Sequence, residues 1–275
     1  MRKINGVMLL VVLFVLSVPF LSFAQTGDER RTIMDKQCNE GDGKTCREMG
    51  NYFSMMKKDE VTAQGYYDKA LVILEKECSQ NKNMEACFWF AMVDFYNGKD
   101  KPKDRADSKL KRERLWERFE IACDGGCSYA CDKLADSKYV KDTKKMKLYA
   151  EKAIKLAEKA CKDGNIDQCS QAGFDYQSRN KDYAKAKKYY KLACDKGHSS
   201  ACEFLAELLS PSMMMVPIKN LKDDLKEACK LRTKACELGN GFGCRMIGNM
   251  WLGGQCGSKD PQKADEYYKK EKDLE

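Results

Sequence analysis

Thiols are the unusual reactive side chains here: 15 cysteines stand beside a single histidine, His198. Cysteine at this density can form disulfides, hold a metal or run redox exchange, and spacing and compartment decide which. Twelve of the 15 fall into six pairs: Cys38 with Cys46, Cys78 with Cys87, Cys123 with Cys131, Cys161 with Cys169, Cys194 with Cys202 and Cys236 with Cys244. Five pairs are C-x7-C, and the second is C-x8-C. One histidine excludes zinc sites built on paired imidazoles and any mechanism that needs two of them. Cys123, Cys127 and Cys131 have no nearby histidine and make a poor metal set. Ser199 and Ser200 adjoin His198, yet no Gly-x-Ser-x-Gly elbow accompanies them and neighbours in sequence are rarely triad partners, so an exposed turn histidine is expected. Ser79-Gln-Asn-Lys82 and Ser108-Lys-Leu-Lys111 both fit S-x-x-K, but neither an S-D-N nor a K-T-G element occurs in the chain. No catalytic residue, metal site or cofactor follows from these motifs.

The cysteines point instead to the elements that carry them. Along one continuous helix, residues eight apart lie about 12 Å from each other, whereas a disulfide needs Cα atoms within about 7 Å. Each pair closes only if the chain reverses between its members. Three residues after the first cysteine comes Gly41, Asn81, Gly126, Gly164, Gly197 or Gly239, residue types that accept the left-handed conformation ending a helix. Four after the second comes Gly50, Ala91, Ala135, Gly173, Ala206 or Gly248, all small, which predicts close helix–helix approach. Segments such as Lys144–Cys161 space apolar residues three and four apart and show no strand-like alternation. The prediction is an all-α protein: an α/α superhelix, or solenoid, of helical hairpins, each stapled by a disulfide across its turn and stacked on its neighbours. Asp260 and Pro261 start a lone, charged C-terminal helix suited to capping the stack.

The first residues read as an address. Arg2 and Lys3 precede an unbroken apolar run, Val7 to Leu16, and Ser22-Phe23-Ala24 offers small residues before a cut at Gln25. Residues 1–24 are expected to be a signal peptide and 25–275 the mature solenoid, exported to the periplasm or secreted. The run is shorter than the ~20 residues a membrane span needs. Without Arg2 and Lys3, the 50 Lys+Arg against 42 Asp+Glu leave +6. With acids nearly balancing bases, nucleic-acid binding is not expected. A mean hydropathy of −0.64 excludes a multi-spanning membrane protein.

Tyr183–Cys202 (YAKAKKYYKLACDKGHSSAC) and Gly253–Tyr268 (GGQCGSKDPQKADEYY) resemble Sel1-like repeats, relatives of the tetratricopeptide repeat. A cysteine pair in each repeat makes the chain similar to the Helicobacter cysteine-rich proteins, exported Sel1-like solenoids. Its irregular repeat lengths and three additional cysteines depart from that pattern. The resemblance implies penicillin binding and weak β-lactamase activity, with no residue of this sequence assigned to either. Of the extra cysteines, Cys229 and Cys256 are expected to form a seventh disulfide. Cys127 is then left as a free or mis-paired thiol, or as an intermolecular bridge. Tyrosines recur on the first helices. Tyr66, Tyr67, Tyr149, Tyr189 and Tyr190 either pack between repeats or, with lysines, form a concave surface for a partner. Met213, Met214 and Met215, in a Pro-bounded loop, are either a soft binding surface or a plug between repeats. The expected function is a protein- or peptide-binding scaffold, with a cell-wall fragment as a further ligand class. The alternative is a β-lactam-binding protein with weak hydrolysis.

Overall fold

A computed structural model describes residues 27–98, 104–136, 142–210 and 221–274, the side chains of 221–223 excepted. The expected signal peptide and Met213–Met215 lie outside the described residues. Among the described residues there are thirteen helices and no strand: α1 (Gly27–Asn39), α2 (Gly43–Tyr52), α3 (Glu60–Asn81), α4 (Met84–Asn97), α5 (Arg105–Asp124), α6 (Ser128–Leu134), α7 (Thr143–Lys162), α8 (Ile166–Asp175), α9 (Tyr183–Asp195), α10 (Ser199–Leu209), α11 (Leu221–Glu237), α12 (Gly241–Gly253) and α13 (Pro261–Leu274). Single π-helical turns, Phe53–Lys57 and Tyr176–Asn180, extend α2 and α8. Helices pack on their sequential neighbours, and α1 also touches α13. The described residues form an α/α solenoid of six stapled hairpins, followed by α13 packed on α12.

Each hairpin closes by the same local chemistry. Across the turns, Cys38 is bonded to Cys46, Cys78 to Cys87, Cys123 to Cys131, Cys161 to Cys169, Cys194 to Cys202 and Cys236 to Cys244. The Cα atoms of these six pairs lie 4.5 to 4.8 Å apart, inside disulfide range. Loops this short give roughly 2–3 kcal/mol per staple in the chain-entropy account. Five turns use a left-handed glycine, whereas in the second Asn81 ends α3 and Lys82 takes that conformation, with φ 51°. The extra residue between Cys78 and Cys87 shifts the left-handed position by one. Four residues before each second cysteine stands the N-cap of the second helix. Asp42, Asn83, Asn165, His198 and Asn240 each accept a backbone N–H there. The lone histidine is therefore a cap: its Nδ1 accepts from the Ala201 N–H at 3.1 Å.

Cys127 occupies that cap position in the third hairpin and makes no side-chain cap bond. It is the free cysteine of the described residues and is buried. Burial pushes its thiol up to about 11, with the charge of Glu85 adding and the N–H groups of Ala130 and Tyr129 opposing. A buried, protonated thiol is a poor nucleophile and a poor partner for an intermolecular bridge. Cys127→Asn restores the cap chemistry of the second, fourth and sixth hairpins. It is expected to raise stability by about 1 kcal/mol, read as a higher urea midpoint at unchanged slope. A lower midpoint would show that space, rather than capping, selects the residue.

Stacking between hairpins uses a tyrosine laid on a glycine. A Cβ at Gly50 would fall 2.5 Å from Tyr67, at Gly173 2.6 Å from Tyr190, and at Gly248 2.6 Å from Tyr268. Each of these tyrosine hydroxyls then donates to a side-chain carbonyl on the preceding hairpin: Asn51 at 3.0 Å, Gln177 at 2.8 Å and Asn249 at 2.7 Å. Two interfaces carry ion pairs instead, one fully buried and one half-buried. Arg232 reaches from α11 to Glu203 on α10 at 3.0 Å, both shut off from solvent. Arg179 donates to the Asp132 carboxylate at 2.5 Å and to its carbonyl at 3.1 Å, tying the turn after α8 to α6. Asp175, fully buried beside this pair, is raised by burial and by Asp132, against Arg179. Cys229 and Cys256 form a seventh disulfide with Cα atoms 5.7 Å apart, fastening α11 to the turn after α12. Fourteen paired cysteines point to an oxidising, non-cytosolic environment.

Candidate functional site

The curvature of the stack turns its second helices inward, and α2, α4, α6, α8 and α10 line a cleft of about 950 Å³. The lining follows the cysteine register. Two residues before the second cysteine of the first, third, fourth and fifth hairpins stand Lys44, Tyr129, Asp167 and Ser200; one or two after the second cysteine of the first five hairpins stand Arg47, Glu48, Trp89, Asp132, Lys133, Ser170, Gln171 and Phe204. The cysteines themselves stay out of the lining. Cys46, Cys87, Cys131, Cys169 and Cys202 are buried, each turned to its bonded partner on the first helix of its hairpin. Their role is to hold the wall, and their neighbours are the residues turned toward the cavity.

Aromatic and charged groups interleave along the cleft. The Arg47 guanidinium lies over the Trp89 ring, 4.0 Å from its centroid, a cation–π contact. Trp89 and Tyr129 are 5.8 Å apart by ring centroids. Phe174 leaves 44% of its surface exposed in the cleft, an apolar contact without a covering partner. Lys44 of the first hairpin reaches Asp167 of the fourth at 2.9 Å, across 123 residues of sequence. Burial lowers the Lys44 ammonium, but the hydrogen bond and charge of Asp167, with Glu85 and Glu48, outweigh it and hold Lys44 above its ordinary 10.5. Burial holds Arg47 below its ordinary value against the charge of Glu48, and pushes Tyr129 up, with Asp167 and Glu85 adding.

His198, Ser199, Ser200 and Asp167 share this cleft, and His198 Nε2 lies 3.6 Å from Asp167 Oδ1. The set does not act as a hydrolytic triad. Nδ1 is already occupied by the Ala201 N–H, and Nε2 faces the carboxylate, so neither nitrogen is free to take a serine proton. Burial, with Lys44 nearby, lowers the imidazole from 6.5, although Asp167 opposes this. Neither S-x-x-K serine is activated: Ser79 Oγ donates to the Glu75 carbonyl at 2.8 Å, and Ser108 Oγ to that of Asp104 at 2.9 Å.

The tyrosines singled out on the first helices do not line the cleft. Tyr67, Tyr189 and Tyr190 are buried between hairpins. Tyr66 and Tyr149 are half-buried, with hydroxyls donated to Asp35 at 2.6 Å and Glu120 at 3.1 Å. The cleft wall is built mainly by the second helices, joined by Arg30 and Gln37 of α1, while these tyrosines pack or hydrogen-bond between hairpins. Lys44, Arg47, Trp89, Tyr129, Asp167 and Phe174 escape sequence reading, since their types differ from copy to copy and only their register unites them.

No family profile matches the chain. Cytochrome c oxidase assembly factor 7 of Xenopus tropicalis is 26% identical over 234 residues, covering 83% of this chain and 78% of that one. Assembly factor 7A of Xenopus laevis is 23% identical over the same shares. Among solved structures, a Sel1 repeat protein from Oxalobacter formigenes aligns with a TM-score of 0.47 at 17% identity over 86% of both chains. A protective antigen of uropathogenic Escherichia coli with an SLR fold aligns at 0.39 and 18%, covering 88% of this chain and 56% of that one. By its own hairpin register the chain is an α/α solenoid, and it is similar to proteins built of Sel1 repeats.

Proposed function

We propose that the mature protein, residues 25–275 after removal of a signal peptide, is an exported scaffold that holds an extended peptide segment of a partner protein in the inner cleft. The observation that carries this reading is the cleft itself: five successive second helices present Trp89, Tyr129, Phe174 and Phe204 among charged and amide side chains. Aromatics anchor apolar side chains at low entropic cost. Asp132, Gln171, Ser199 and Ser200 offer partners to the backbone groups that an extended peptide leaves unpaired. The disulfides hold the trough in shape before the ligand arrives, which lowers the ordering cost of binding. The relatives named assembly factors accord with a protein that works by holding another chain.

The test is to select binders from a displayed random-peptide library on the oxidised protein and to measure them on Phe174→Glu, a change at a half-exposed site. The variant is expected to weaken the selected peptides about tenfold or more. Peptides indifferent to both Phe174→Glu and Lys133→Glu would remove the cleft from the reading. The β-lactam alternative has no residue to carry it. Nitrocefin turnover that scales with protein and vanishes on reduction would replace the peptide reading.

A further inference from the structure

A second trough lies on the sixth hairpin and differs in chemistry from the cleft. It measures about 640 Å³ and runs beside α11 from Lys226 to Glu237. Leu238, Trp251 and the Cys229–Cys256 disulfide line it, over the fully buried Ile247. Lys226, Lys230 and Lys234 also line it, spaced four apart and so aligned on one face of the helix. Lys230 has Glu227 at 3.4 Å. Among the described residues, no ion pair is made by Lys226 or Lys234. Asp195, which also borders the trough, is already held by Lys191 at 2.8 Å. The trough therefore offers an apolar lining beside a basic rail.

We propose that this trough docks an amphipathic helix of a partner protein, with an apolar stripe flanked by Asp or Glu. The argument for a helix is hydrogen bonding. Backbone groups of α11 and α12 are satisfied within their own helices, and the floor between them, Leu238, Trp251 and the Cys229–Cys256 disulfide, is apolar, with the polar side chains confined to the rim. An extended peptide would find few partners for its N–H and C=O groups there, whereas a helix satisfies its own. The argument for acidic flanks is the lysine rail: carboxylates one helical turn apart on the partner match lysines one turn apart on α11. The eleven steps from Lys226 to Glu237 span about 17 Å, which sets the docked length at about three turns. This is helix-in-groove recognition, on a surface that the proposed peptide cleft does not use.

The test uses two labelled helical peptides with the same leucine stripe, one flanked by Glu and its twin by Lys, titrated against the oxidised protein by fluorescence anisotropy. The Glu peptide is expected to bind at least about tenfold more tightly than the twin, and to weaken with added salt. Lys226→Glu/Lys230→Glu/Lys234→Glu, which alters only the rail, is expected to reverse the preference. Phe174→Glu in the cleft is expected to leave it unchanged. Equal binding of the two peptides, absence of saturable binding, or loss of binding on Phe174→Glu would each overturn the proposal. So would self-association that the triple variant abolishes, since a second copy would then be the occupant.

Discussion

Arg232→Met is expected to destabilise the protein by about 3–5 kcal/mol at pH 8. Arg232 and Glu203 are 2% and 4% exposed, so removing the cation leaves a carboxylate with no counter-ion and no water. The second Glu203 oxygen already lacks a hydrogen-bond partner. Burial pushes Glu203 from 4.5 up to about 7 even with Arg232 in place, and Glu207 adds to the rise. The folded state therefore binds this proton more tightly than the unfolded chain does. The favourable contribution is fully present below 4.5 and is lost as pH rises through about 7. Without Arg232 the carboxyl moves higher still. The deficit of the variant is expected to be largest at pH 8 and to shrink at pH 5, where a protonated Glu203 needs no partner. Arg232→Met/Glu203→Leu is expected to recover most of the loss, because an apolar pair of similar volume carries no desolvation cost. Urea midpoints at the two pH values decide the matter. A pH-independent loss that persists in the double variant would mean that packing, not charge, holds this interface.

Tyr190→Ala is expected to cost a comparable amount, about 3–5 kcal/mol. Its side chain is fully buried against Gly173 and 5.4 Å from the Phe204 ring by centroids. The more telling measurement is the cycle with its glycine. Gly173→Ala alone would place a methyl 2.6 Å from the Tyr190 ring, and overpacking of this kind costs about 1–3 kcal/mol. In the Tyr190→Ala background the same change meets no ring and gains the helical advantage of Ala over Gly, up to about 1 kcal/mol. One substitution is thus expected to change sign with its background. An equal cost in both backgrounds would show that the ring is not what keeps position 173 bare.

The hairpins were legible in the sequence because everything that closes them is local. Cys161, Gly164 and Cys169 act within nine residues, and no distant contact is needed to read them. The small residues at 50, 173 and 248 were legible as close-approach sites, though not the tyrosines that cover them, since Tyr67 and Tyr190 stand at different distances from their cysteines. Cys127 is legible as a cap, since it stands four residues before Cys131, where the other hairpins carry Asp, Asn or His. The cleft was not legible. Its depth depends on curvature summed over several hairpins, as Lys44 meeting Asp167 shows. Its lining varies in type from hairpin to hairpin, so no repeated residue marks it.

The meeting of α1 with α13 changes how the stack comes apart. A Cβ at Gly27 would lie 3.1 Å from the Asp273 backbone oxygen of α13, and Arg30 of α1 also donates to the Gly239 carbonyl, in the turn between α11 and α12, at 3.0 Å. A straight row of repeats unravels from its tips, where each outermost unit has one neighbour fewer. In a row bent until its tips touch, the terminal units shelter each other, and amide exchange at the two extremities should slow in step. Melting of either tip would then release the other, so that this repeat protein loses its order as one unit rather than hairpin by hairpin.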